Sequence, residues 1–146
     1  MKTIIIILLL GITVSYDPKA AIAYARKYCN KYNPYYENYQ EKKGSVYFAS
    51  QCLYAGGQDF KGCSGTDNKG MFLNAEKLKS CLLSKGWKYS ASKPKDFKAG
   101  YPIFLKGSSH AMIAINIKGN YIAFSSHSTD RCEAVIGANS VDYYYL

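Results

Sequence analysis

Apolar positions recur every three or four residues through the first half of the chain and every second residue through the latter half, so the sequence predicts helices first and strands after. Ala21, Ile22, Ala25, Tyr28, Cys29 and Tyr32 lie at helical spacing behind Asp17-Pro18, an N-cap acceptor followed by a proline at the first helical position. This predicts a first helix that ends near Asn30 or Lys31. The following stretch, NPYYENYQEKKG, is polar and tyrosine-rich and contains Pro34, which reads as a surface loop. Phe48, Ala49, Cys52 and Leu53 give a second helix its apolar face; it starts near Ser45 and is stopped by Gly56-Gly57. From Gln58 to Gly70 the chain is glycine-rich, with too few apolar residues for a core of its own. A third helix, capped by Asn74, packs through Leu78, Cys81 and Leu82 and ends at Gly86.

Beyond this point PIFL from Pro102, HAMIAINI from His110 and YIAFSSHS from Tyr121 alternate with period two, and VDYYY near the end adds a further strand. Helices followed by an antiparallel sheet make an α+β arrangement. Gly119-Asn120 is a two-residue hairpin signal. With that turn Lys118 faces Tyr121, and counting outward pairs Asn116 with Ala123, Ala114 with Ser125 and Met112 with His127. One face of the hairpin, with Ala111, Ile113, Ile115, Ile117, Ile122 and Phe124, is then almost wholly apolar. The other collects His110, Met112, Ala114, Asn116, Ala123, Ser125 and His127, which brings the chain's two histidines to one end of one face.

Composition adds a compartment. Residues 1–15, MKTIIIILLLGITVS, carry one lysine, an apolar run from Ile4 to Leu10 and then small and polar residues, the form of a secretory signal. The run falls short of the roughly 18 to 20 residues that span a bilayer, and no later segment approaches that length, so no integral membrane segment is expected. Residues 16–146 are expected to form a single secreted domain large enough to bury a full core. The formal charge of +9 favours anionic polymers as neighbours, while no nucleic-acid recognition motif is present. Five cysteines in an oxidising compartment predict two bridges and one thiol. Cys52, inside the apolar helical run, is the expected free one. Cys29, Cys63, Cys81 and Cys132 would pair in one of three ways that the spacing leaves open. That spacing matches no zinc pattern.

A helix that opens at a nucleophile, followed by a hairpin whose first strand opens with histidine, is the order used by papain-like amidases and peptidases. The sequence resembles one branch of these, the putative amidase domain related to the NlpC-type and CHAP cell-wall hydrolases. The resemblance rests on YDPKAAIAYARKYCNKYNPYY, FASQCLYAGG, GWKYS, HAMIAI and SSHSTDR, in order over nearly the whole chain after residue 15. It implies a papain-like fold, with N-terminal helices packed on the C-terminal sheet. It also implies hydrolysis of amide bonds in peptidoglycan-like or other anionic glycopeptides, without metal or cofactor.

The family's helix start reads approximately Asp-Cys-Thr-Asn-Phe, where this chain has Gly44-Ser45-Val46-Tyr47-Phe48. Ser45 therefore stands in the nucleophile's place. The resemblance makes His110 the general base and later the acid, and gives His127 or Ser125 the task of orienting it. Cysteine suits such a site because a helix N-terminus and an imidazole together bring its thiol to a thiolate; a serine hydroxyl must instead lose its proton to a base during attack. Two further readings stand beside hydrolysis. Ser45 serves as a helix N-cap in a non-catalytic protein that binds glycopeptide or polyanion through the old cleft, or the chain self-associates through an exposed VDYYYL strand. Cys52 is no substitute nucleophile, because seven residues of helix carry it about 10 Å from Ser45, into the core.

Overall fold

The computed structural model describes residues 15–37 and 44–146. The expected signal segment, apart from Ser15, and the end of the tyrosine-rich loop lie outside the described residues.

Asp17 caps the first helix, α1 (Pro18–Tyr28), its carboxylate accepting from the Lys19 and Ala20 amides. Arg26 and Lys27 lie in its last turn, where cations complement the helix dipole. The second helix, α2 (Gly44–Ala55), is buried all round from Gly44 to Leu53. A helix with no polar face belongs in the interior, and α2 packs against both α1 and the sheet, which α1 also touches. The third, α3 (Ala75–Ser84), is capped by the Asn74 side chain and buries Leu78, Cys81 and Leu82.

Six strands follow: β1 (Lys88–Ser90), β2 (Pro102–Leu105), β3 (Ala111–Lys118), β4 (Tyr121–Ser126), β5 (Arg131–Gly137) and β6 (Val141–Tyr145), with a 3-10 turn at Ala138–Ser140. They form one antiparallel sheet in the order β1-β6-β2-β3-β4-β5. The fold is thus α+β, helices first. The two strands that the residue pattern does not announce, β1 and β5, are the sheet's edges. Edge strands bury little, so their residues need not alternate.

Gly119-Asn120 makes the expected tight turn, with Lys118 opposite Tyr121 and Asn116 opposite Ala123. Beyond Asn116 the expected register is overturned. A bulge at Ile115 pairs Ala114 with Phe124 and Ile113 with Ser125. One extra residue on β3 exchanges the faces of everything beyond it. By this alternation His110 follows the Met112 face, whereas Ser125 shares the Ile113 face and His127 continues it. The single face expected to hold both histidines does not form.

The chain's start is locked to its middle. The Tyr16 hydroxyl donates to the Gly100 carbonyl at 2.6 Å, its ring meets Trp87 edge-on at 5.1 Å, and the Asp17 amide donates to Gly56 at 2.7 Å. Burial pushes the Tyr16 hydroxyl far above the usual phenol range. Two disulfides staple the fold, Cys29–Cys132 and Cys63–Cys81, with Cα separations of 5.3 and 5.6 Å. Cys52 is the buried free thiol. Its pKa is raised well above the ordinary value by burial, which keeps it protonated and unreactive.

Candidate active site

The start of α2 packs directly against the start of β3. Ser45, the second residue of α2, has no exposed surface, and its Oγ accepts a hydrogen bond of 3.3 Å from the Ala111 amide. Ser45 therefore lies within the helix and does not cap it: its hydroxyl satisfies a strand amide 66 residues away. That amide belongs to the residue directly after His110. The contact brings the serine position and the histidine's backbone together.

His110 closes the β2–β3 turn. Its amide donates to Ser108 Oγ at 3.1 Å and its carbonyl accepts from Leu105 at 3.0 Å. The side chain is half-buried and lines a shallow depression with Ser108, Ser109 and Ser128. Burial lowers the imidazole's pKa from its ordinary 6.5, so it is neutral at neutral pH and able to take a proton.

His127 is placed elsewhere. It is 3% exposed, stacked on Phe48 with ring centroids 3.8 Å apart, and tilted against Tyr32 at 4.6 Å. Its Nε2 is hydrogen-bonded to the Tyr28 carbonyl. A carbonyl only accepts, so Nε2 carries the proton and the neutral ring keeps Nδ1 as its acceptor. Burial lowers its pKa, while the Tyr28 bond and Asp130 pull the other way. Ser125 is fully buried, and its Oγ accepts from the Glu133 amide at 3.3 Å, holding a second irregularity where Glu133 adopts a φ of 57°. The structure thus joins Ser45 to the start of the His110 strand and sets His127 behind α2 through Phe48. It commits Ser125 to the β4–β5 edge.

Two serines missing from the sequence-based set lie close by. Ser128, with a φ of 76°, lines the His110 depression. Ser126 is buried, and its Oγ is the one buried side-chain polar atom without a partner among the described residues. The bulge puts Ser126 on the His110 face, and no feature of the residue pattern announces that bulge.

A family model described as "Putative amidase domain" matches residues 15–144, which takes in the whole fold but the last residue of β6. The chain belongs to the putative amidase domain family. Within curated proteins, this amidase-domain chain is 30% identical over 108 residues to "Uncharacterized protein YhbB" of Bacillus subtilis (strain 168). The match covers 74% of the chain and 30% of YhbB. A solved structure, Ly7917 with the hydrolyzing product of MDP, superposes with a TM-score of 0.51 at 17% identity over 88% of this chain and 62% of that one. The chain thus spans about a third of YhbB's length and less than two thirds of Ly7917's, and the likeness to Ly7917 is one of fold alone.

Proposed function

We propose that the chain is a secreted, papain-like amide hydrolase for peptidoglycan-like glycopeptides, with residues 1–15 as its export signal and 16–146 as its one domain. In this reading Ser45 attacks the scissile carbonyl, His110 takes its proton and returns it to the leaving amine, and amides at the start of α2 hold the oxyanion. The observation that carries it is the Ala111 amide bonded to Ser45 Oγ, which seats the helix start against the strand that directly follows His110. Membership of the amidase-domain family supports the reaction class. Ly7917, holding the hydrolyzing product of MDP, supports the ligand class. Two disulfides suit an oxidising compartment, and no helix among the described residues is long and apolar enough to cross a membrane. In this scheme His127 acts by position: stacked on Phe48 and bonded to Tyr28, it fixes α1 against the first turns of α2.

A second reading keeps the ligand and drops the cleavage. Its support is that Ser45 has no exposed surface and its oxygen is already engaged by Ala111. Digestion of purified peptidoglycan, followed by mass spectrometry of released peptides, separates the two. Hydrolysis predicts release by the natural protein and its loss in Ser45→Ala. Release by Ser45→Cys alone would assign the chain to binding.

A further inference from the structure

The connection from α2 to α3 has few apolar residues, yet it is pinned along its length. Asp67 accepts from the Lys69 and Met71 amides and from the Tyr47 hydroxyl. Lys85 bonds the Asp59 carboxylate and the Lys61 carbonyl, and the Trp87 indole donates to Gln58. Cys63 is bridged to Cys81. Ordering a loop costs backbone entropy; Phe60, Met71 and Phe72 bury apolar surface against that cost, and these bonds fix the shape of the stretch between them.

That shape is a groove of about 470 Å³. Phe60 and Met71, both buried, form its floor. Tyr54, from the last turn of α2, lines it with 54% of its surface exposed, and Asp59, Lys61, Thr66 and Lys69 stand at the rim, the Asp59 carboxylate paired with Lys85 at 3.2 Å. The Lys69 ammonium sits 4.0 Å over the ring of Tyr35, which is itself 62% exposed. Tyr54 follows Ser45 by nine residues, a half-turn offset around the helix and roughly 13 Å along it. The groove therefore opens on the other side of α2 from the candidate active site.

We propose that this groove is a separate binding site for an acidic carbohydrate, one whose sugars carry carboxylates. A pyranose presents a flat C–H face that stacks on an exposed tyrosine ring. Lys61 and Lys69, which both line the groove, offer ammonium partners for the sugar's carboxylates, and Thr66 offers a hydroxyl. An apolar peptide side chain would find no deep pocket here, because both apolar floor residues are already covered. The proposal goes beyond the hydrolase reading and does not require Ser45 to react.

The test is isothermal titration of the disulfide-bonded protein with an oligogalacturonide and, in parallel, with a neutral maltooligosaccharide of equal length. The acidic sugar is expected to bind and the neutral one to bind at least about tenfold more weakly. Tyr54→Ala is expected to weaken binding about tenfold, and the paired Lys61→Gln and Lys69→Gln changes to weaken it and reduce its dependence on salt. Thermal melting checks that each variant is folded. Equal affinity for both sugars, affinity for neither, or acidic-sugar binding that survives Tyr54→Ala would overturn the proposal. Binding that falls with Ser45→Ala and not with Tyr54→Ala would place the sugar at the active site and overturn it as well.

Discussion

At the scale of single residues, position within a register decides chemistry more than residue type does. His127 and His110 differ little as amino acids, yet one is sealed between Phe48, Tyr32 and the Tyr28 carbonyl while the other lines an open depression. Both have a folded-state pKa lowered by burial. The unfolded chain then binds more protons in the range below about pH 6.5, so this stabilisation is present above the ordinary value and lost as pH falls toward the folded one. Urea midpoints should accordingly drop between about pH 7.5 and 5. His127→Phe, which keeps the stack on Phe48, should flatten that profile, and an unchanged profile would remove His127 as its cause. Ser45 was legible as the start of a helix because the apolar positions after it repeat helically. Its partner was not, because the Ala111 amide lies far along the chain and only the packed helix brings it near.

At the scale of elements, α1 and α3 announced themselves through cap and stripe, α2 through its helical apolar spacing and its Gly56-Gly57 stop, and the hairpin through Gly119-Asn120. The bulge at Ile115 did not, since an isoleucine among alternating apolar residues looks the same bulged or paired. Nor did the pairing of the cysteines, which depends on how elements pack. The structure ties the end of α1 to β5 through Cys29–Cys132, beside an Arg26–Glu133 ion pair whose partners are both largely exposed. Such an exposed pair contributes little, so the bridge carries this junction. Closing a span of 103 residues constrains the unfolded chain more than closing one of 18, about 4.7 against about 3 kcal/mol by loop entropy. Calorimetry of Cys29→Ser/Cys132→Ser beside Cys63→Ser/Cys81→Ser should therefore show the larger fall in melting temperature for the first pair. A larger fall for the second would mean that the α2–α3 loop, and not the long closure, dominates.

Over the whole molecule, the core is continuous from α1 to β6, and the Tyr16 seam joins its halves. Gly100 packs against the backbone at the start of α1. Its φ is +95°, and an added Cβ would lie 2.5 Å from the Pro18 carbonyl oxygen. Gly86 has a φ of +96° and open space around it. Both substitutions by alanine carry similar backbone strain, about 1 kcal/mol or somewhat more. Gly100→Ala alone adds overlap with backbone, so its melting temperature should fall well below that of Gly86→Ala; equal losses would show that the seam yields. The long bridge also has a meaning in the order of synthesis. In a chain made from its N-terminus, Cys63 and Cys81 can pair soon after α3 emerges, being 18 residues apart. Cys29 must wait for a partner 103 residues later, past Cys52, whose native place is inside the buried helix α2. An oxidised Cys29–Cys132 pair is thus a stamp of completion: it closes only on a chain already finished through β4 and its following turn.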